Sequence, residues 1–362
     1  MLSAQNMNNG KYPVFGGNGI SGYHDEFMFE EPRIVIGRVG AYCGNVHRTK
    51  HNSWITDNAL YIDQKLQSYS DDYLIYLLRN LHLNQYASQS GQPLISYGRI
   101  KDIEIPLPPL STQKKIAAIL DAADAYRQKT KTLIEKYDQL AQSLFLDMFG
   151  DPVRNPKGWE MKTIENLVKK EKCSIKRGPF GGALKKEIFV ESGYLVYEQF
   201  HALNNDFTFE RYYIDDAKFE ELKGFEVKPG DIIISCSGVY LGKLATVPQG
   251  AKRGIINQAL LKVSIDQNKM RNDFFIFHFT HKNFKDKYFE ANRGAGIPNF
   301  PPMEDFKRFQ FISPPIQVQN QFAERIQLIE AQKQQAQASL QKAEDLFNSL
   351  LQRAFKGELV AE

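Results

Sequence analysis

At 362 residues the chain is long enough for two cores of ordinary size, and its net charge of +4 permits a nucleic-acid partner without demanding one. Three widely separated cysteines, Cys43, Cys173 and Cys236, exclude a disulfide frame or zinc knuckle and favour a reducing compartment. No apolar run reaches membrane-spanning length and the opening MLSAQNMNNGK lacks a signal-peptide core, so a cytoplasmic location with no membrane partner is expected.

In chain order, the first segment is YPVFGGNGISGYHDEF. Its Phe15-x-Gly17-x-Gly19 matches the cofactor-cradling turn of methyltransferases. The companion Asn/Asp-Pro-Pro-aromatic motif is missing, because Asp151-Pro152-Val153 and Asn155-Pro156-Lys157 lack the second proline and the ring. These glycines therefore read as backbone turns. RIVIGRVGAYCGNV (Arg33 to Val46) predicts a buried strand, a glycine turn and a second strand. TDNALYI (Thr56 to Ile62), the aromatic helical run DDYLIYLLRN and the glycine-bearing loop SQSGQPLISYGRI follow.

Pro108-Pro109 forbids helix before it. From Gln113 to Met148, apolar residues then recur at Ile116, Ile119, Ala123, Tyr126, Thr130, Leu133, Tyr137, Leu140 and Leu144. That alternation of three and four predicts a heptad seam on a helix of roughly 36 residues, about 55 Å long, stopped by Gly150.

The pattern then repeats. DIIISCSGVYLGKLATV (Asp231 to Val247) answers the first strand–turn–strand, with Gly40-x-Tyr42-x-Gly44 under Gly238-x-Tyr240-x-Gly242. INQALLKV (Ile256 to Val263) answers TDNALYI, NDFFIFHFTHKN the aromatic helix, and ANRGAGIPNFPPM the loop. Pro314-Pro315 opens a second long helix with Phe322, Ile326, Ile329, Ala336, Leu340, Ala343, Phe347 and Leu350 on its seam and Gly357 at its stop. One offset, 206, joins Pro108 to Pro314, Gln113 to Gln319, Leu140 to Leu346 and Phe149 to Phe355. A unit this long is a duplicated domain plus helix. Each helix needs a partner; a homodimer seam is one option, but duplication supplies both helices in one chain. The expected segments are 1–107, a strand-rich domain; 108–150, a helix; 151–313, a second strand-rich domain; and 314–362, a second helix.

Catalytic patterns are absent. His278 and His281, like His47 and His51, lack carboxylate or cysteine companions at ligand spacing and read as packing or surface residues. No Ser-His-Asp order, Walker motif or nuclease carboxylate cluster stands out. Nucleic-acid binding is better supported. KKEKCSIKRGPFGGALKK (Lys169 to Lys186), AKRGIINQ (Ala251 to Gln258) and KNFKDKYFEANRGAG (Lys282 to Gly296) interleave cations with aromatics and glycines, as phosphate and base-edge contacts require.

The repeat, the box PLPPLSTQKKIAAIL and the glycine–tyrosine turns together resemble the specificity (S) subunits of type I restriction-modification systems, the HsdS family. NPKGWEMKTIENL (Asn155 to Leu167) is similar to the usual opening of a recognition domain, RGPFGGALKK (Arg177 to Lys186) to its early turn, and YPVFGGNGISGYHDEF with IVIGRVGAYCG to a common first domain. The resemblance implies an α+β fold: two strand-rich target-recognition domains separated by two long antiparallel coiled-coil helices in a pseudo-twofold repeat. It implies a non-catalytic subunit whose domains each read half of a split site in double-stranded DNA, with the helices fixing the spacer. Two modification (M) subunits carrying S-adenosylmethionine and restriction (R) subunits using ATP and Mg would be its partners, with no cofactor in this chain. A recognition subunit of a related type II system, or a coiled-coil scaffold that binds no DNA, are the alternatives.

On this reading Arg177, Lys185, Lys186, Tyr240, Lys243, Gln258 and Arg293 lie on the DNA face of the second domain, the lysines on phosphates and Arg293 on bases. Arg38, Tyr42, Asn58, Tyr97 and Arg99 are the counterparts in the first. Ile116, Leu133, Leu140, Leu144, Phe322, Ile329, Leu346 and Leu350 carry the helix pairing and partner binding. In the second domain 79 positions separate Trp159 from Gly238, but only 39 separate Met1 from Gly40. The first domain is therefore expected to be short, to lack an edge strand and to bind its half-site weakly.

Overall fold

The computed structural model describes residues 7, 10–88, 91–180, 182–289 and 299–360. It divides into two compact units, Met1–Leu133 with Ala336–Glu362, and Ile134–Gln335. Both are mixed α+β, as expected. In the first unit, β1 (Tyr12–Gly16) pairs antiparallel with β2 (Gly19–His24). A second sheet centres on β3 (Ile34–Gly37), flanked by β4 (Val46–Arg48), while β5 (Trp54–Ile55) runs parallel to β1 and β6 (Ala59–Tyr61) completes the β4-β3-β6 order. All four residues of β3 are buried, which is why its apolar run does not alternate. The first helix, α1 (Asp71–Asn80), is capped by Ser70, whose hydroxyl accepts from Tyr73 N, and it buries Tyr73 to Leu77. A short α2 (Tyr97–Ile100) precedes the long α3 (Leu110–Phe149).

The second unit starts with β7 (Met161–Thr163), α4 (Ile164–Leu167), β8 (Ile175–Arg177), β9 (Tyr194–Tyr197), α5 (Gln199–Asn204), β10 (Tyr213–Ile214) and α6 (Asp216–Glu221). It continues with β11 (Glu226–Val227), β12 (Ile232–Ser235), β13 (Leu244–Thr246), β14 (Gly254–Ile256) and β15 (Leu260–Val263). The last elements are α7 (Asn272–Thr280), α8 (Lys282–Phe289), α9 (Met303–Lys307), β16 (Gln310–Ile312) and the long α10 (Ile316–Phe355), which belongs to this unit up to Gln335. The sheets run β10-β9-β14-β11 and β13-β12-β15-β8, and β7 pairs with β16. The second of these sheets repeats β4-β3-β6 and adds β8.

The register of the repeat is set by hydrogen bonds. Gly37 N donates to Asn45 O and Gly44 N to Gly37 O, both at 2.8 Å; Ser235 N donates to Lys243 O (2.8 Å) and Gly242 N to Ser235 O (2.9 Å). Across the sheet, however, Ala59 opposes Gly37 while Leu260 opposes Ser235. Asp57 is thus the equivalent of Gln258, and Asn58 of Ala259. This shifts by one the pairing suggested by the Ala-Leu that TDNALYI and INQALLKV share. Burial explains the shift: Leu60 and Leu261 both join the cores that contain α1 or α7, while Ala59 and Leu260 face the opposite side.

Each long helix has 40 residues, and the two keep the 206 offset at both ends. They run antiparallel. In the first unit Arg127 lies 4.3 Å over the Phe347 ring and Lys131 pairs with Glu344; in the second Lys333 pairs with Asp138 and Phe149 meets Phe322. The expected seam of α10 is the buried one, with Phe322, Ile326, Ala336, Ala343 and Phe347 buried and Ile329 and Leu350 packed against the cores. On α3 only half the expected seam faces inward. Ile116 and Thr130 are buried and Leu144 is half-buried, but Ile119, Tyr126, Leu133 and Leu140 are exposed. Their places are taken one residue later by Leu120, Arg127, Ile134 and Ala141. Leu346 is exposed as well, at 54%, against 51% for Leu140. Both leucines therefore leave the seam, because a stripe following 3.6 residues per turn drifts off the three-residue step there.

The repeated glutamine is a staple. Gln113 Oε1 accepts from Ser70 N (2.9 Å) and its Nε2 donates to Pro108 O (2.7 Å). Gln319 Oε1 accepts from Arg271 N (2.9 Å) and its Nε2 donates to Pro314 O (2.8 Å). Both side chains are buried. Each ties the first turn of a long helix to the residue capping the aromatic helix of its own domain, satisfying groups that burial would otherwise orphan.

Candidate nucleic-acid interface

The glycine–tyrosine turns project from one end of each sheet. Between β12 and β13, Gly238 (φ +77°) and Gly242 (φ +73°) take left-handed conformations; between β3 and β4, Gly40 (+83°) and Gly44 (+89°) do the same. The tyrosine between each glycine pair is held out in water, Tyr42 54% and Tyr240 56% exposed. A following loop braces each turn through an isolated bridge, Val39 with Leu94 and Ser237 with Asn299.

In the second domain the turn gathers further groups. Gln199, the first residue of α5, donates through Nε2 to Ser235 Oγ (2.9 Å) and Ser237 O (3.0 Å), fixing where the turn leaves β12. Arg177 ends β8 beside it; its guanidinium lies 5.3 Å over the exposed Phe180 ring, and its buried Nε has no hydrogen-bond partner among the described residues. A Cβ on Gly178 would lie 1.8 Å from Asn257 O, so only glycine lets this strand pass the Asn257–Gln258 corner. Gln258 itself is exposed. Cys236, at the foot of the turn, is inert because burial pushes its thiol up to about 12.

The sheet thus brings Arg177, Tyr240, Lys243 and Gln258 to one end. Lys185 and Lys186 lie beyond it, where neighbouring Leu184 and Ile188 pack under the other sheet's core. Arg293 lies outside the described residues. In the first domain Arg38 N donates to Asn58 O (2.9 Å) and Arg38 Nη1 to Asp57 O (3.2 Å), and Ile95 N donates to Arg38 O (2.8 Å). This brings Arg38, Tyr42 and Asn58 together, with the exposed Tyr97 two residues beyond Ile95. Arg99 is turned to Tyr86 O (3.4 Å). Sequence reading missed Gln199, Phe180 and Lys285. The repeat could have found Lys285, which stands at the place of Asn84 against the equivalent glycine.

Among the described residues, no group of three or more His, Cys, Asp or Glu could hold a metal ion, and no helix is long and apolar enough to cross a membrane.

A duplicated α+β domain with an antiparallel helix pair and an exposed polar-aromatic turn at each sheet end defines the class of architecture. Comparison with known proteins gives the same class. Residues 1–136 match the family model of the type I restriction modification DNA specificity domain. The chain is 40% identical over 113 residues to the type I restriction enzyme EcoprrI specificity subunit of Escherichia coli, a match covering 31% of this chain and 28% of that one. It is 23% identical over 313 residues to the MjaIX specificity subunit of Methanocaldococcus jannaschii, covering 80% and 69%. The solved type I S subunit from M. genitalium superposes with a TM-score of 0.58 at 17% identity, covering 98% of this chain and 91% of that one. A structure described for assembly and conformational transition of the type I R-M system gives 0.57 at 15% identity, covering 92% and 83%. The whole chain carries the type I S-subunit fold.

Proposed function

We propose that the chain reads a split site in double-stranded DNA, one half per domain, and supplies no chemistry of its own. The observation that carries this reading is the twin turn, with an exposed tyrosine on the same glycine frame at the same end of the same sheet in both domains. Around each turn lie arginines whose buried Nε has no hydrogen-bond partner among the described residues, Arg38 and Arg177, with Asn58 in one domain and Gln258 in the other. Phosphate contacts would position the duplex and the differing side chains would read base edges. The helix pair serves to fix the spacer and to hold modification subunits, on which restriction subunits assemble. In this reading S-adenosylmethionine, ATP and Mg belong to those partners.

The test is to map the adenines methylated when the chain is combined with its modification subunits, then to measure binding to duplexes with either half-site scrambled. Loss of affinity on scrambling, with a steep salt dependence, is expected. Binding indifferent to both halves would overturn the reading, and no binding at all would favour a helical scaffold.

A further inference from the structure

The equivalences between the domains expose a difference in charge. Lys243 follows Gly242 as Asn45 follows Gly44. A Cβ at Gly242 would lie 3.7 Å from Lys285 Cε, and a Cβ at Gly44 would lie 2.5 Å from Asn84 N. Asn84 and Lys285 also stand at the same distance along the chain from Ser70 and Arg271, the residues held by the stapling glutamines. Two amides in the first domain are thus two ammoniums in the second.

The Asn45 amide has a partner: its Nδ2 donates to Asn18 Oδ1 at 3.1 Å. The ammoniums are not. Among the described residues neither Lys243 nor Lys285 has a carboxylate or a side-chain hydrogen bond, and partial burial, with the neighbouring Lys243 charge, lowers the Lys285 pKa. Two like charges held together without a counter-ion cost free energy that an incoming anion removes. Lys243 N donates to the carbonyl of the exposed Tyr240 (3.1 Å), on the face proposed above for DNA.

We propose that Lys243 and Lys285 clamp a backbone phosphate of the half-site read by the second domain, and that the first domain holds its own half-site without such a clamp. The proposal rests on the DNA-reading function above and concerns how affinity is shared between the halves. A clamp of this kind adds sequence-independent, salt-sensitive affinity, about 0.9 in the slope of log K against log salt per neutralised phosphate.

The experiment measures that slope on the cognate duplex, using the full chain assembled with its modification subunits. The variant Lys243→Asn with Lys285→Asn copies the residues of the first domain, so it keeps a side-chain set this fold already accommodates; an unchanged Tm checks this. The slope should become shallower by about 1, with the methylated motif unchanged. The reciprocal Asn45→Lys with Asn84→Lys should steepen it. An unchanged slope with site-specific binding intact would overturn the clamp and leave the DNA-reading function standing. A changed motif at constant slope would make the lysines base readers and also overturn it. A wild-type complex that binds no duplex would overturn both.

Discussion

Packed against Phe274, Phe284 and Phe311, His278 accepts a hydrogen bond from Ile312 N through Nε2 at 3.2 Å, while its buried Nδ1 has no partner among the described residues. Complete burial pushes its pKa down to about 3, so the folded state holds it neutral. In the unfolded chain it protonates near 6.5. A depressed folded pKa means stability is fully present above pH 6.5 and is lost progressively as pH falls from there toward 3. Thermal melts of the chain should show the second unit weakening over that window. His278→Gln, whose amide oxygen can accept from Ile312 N, should flatten the dependence; an unchanged slope would place the titrating group elsewhere. The sequence showed this histidine as a packing or surface residue, from its lack of ligand companions. The hydrogen bond to β16 was not legible, because it joins residues brought together only by the fold.

The long helices show how an element can be half legible. The α10 pattern, carried back by 206 residues, lands on Ile116, Leu120, Ala123, Thr130, Ile134, Tyr137, Ala141 and Leu144, all buried or half-buried. Reading α3 by itself instead admitted Ile119, Tyr126, Leu133 and Leu140, since an apolar residue every seven positions looks like a seam whether or not it faces the partner helix. The buried side of α3 and its exposed row make opposite predictions. Phe145, fully buried against Phe149, Phe274 and Phe322, should cost about 3–5 kcal/mol as Phe145→Ala in denaturant unfolding. Leu140→Asp should stay within about 0.5 kcal/mol of the parent, yet should reduce recovery of co-purified modification subunits if the exposed row is their seat. Full recovery would remove Leu140 from the docking face.

For the whole molecule, the order domain, helix, domain, helix was legible because prolines, glycines and the fixed offset punctuate the chain. The residue-level match of the strands was not, because two letters in common outweighed sheet register, which is set by which face is buried. The division into units has a consequence for how the protein is made. The second unit is one continuous stretch, Ile134–Gln335, whereas the first takes Ala336–Glu362 from the far end of the chain. Its core places Ile116 and Leu120 with Phe347 and Ala354, and Tyr73 beside Phe355. On the ribosome the first domain must therefore wait, its apolar helix face uncovered, until residues 336–362 have been translated. Refolding from denaturant should show the second unit acquiring protected amides before the first, since closing the longer loop comes later. A chain ending at Gln335 should retain protease-resistant second-unit fragments while its first unit is degraded and captured by chaperones. Synthesis order thus makes the earliest-made domain the last to become native.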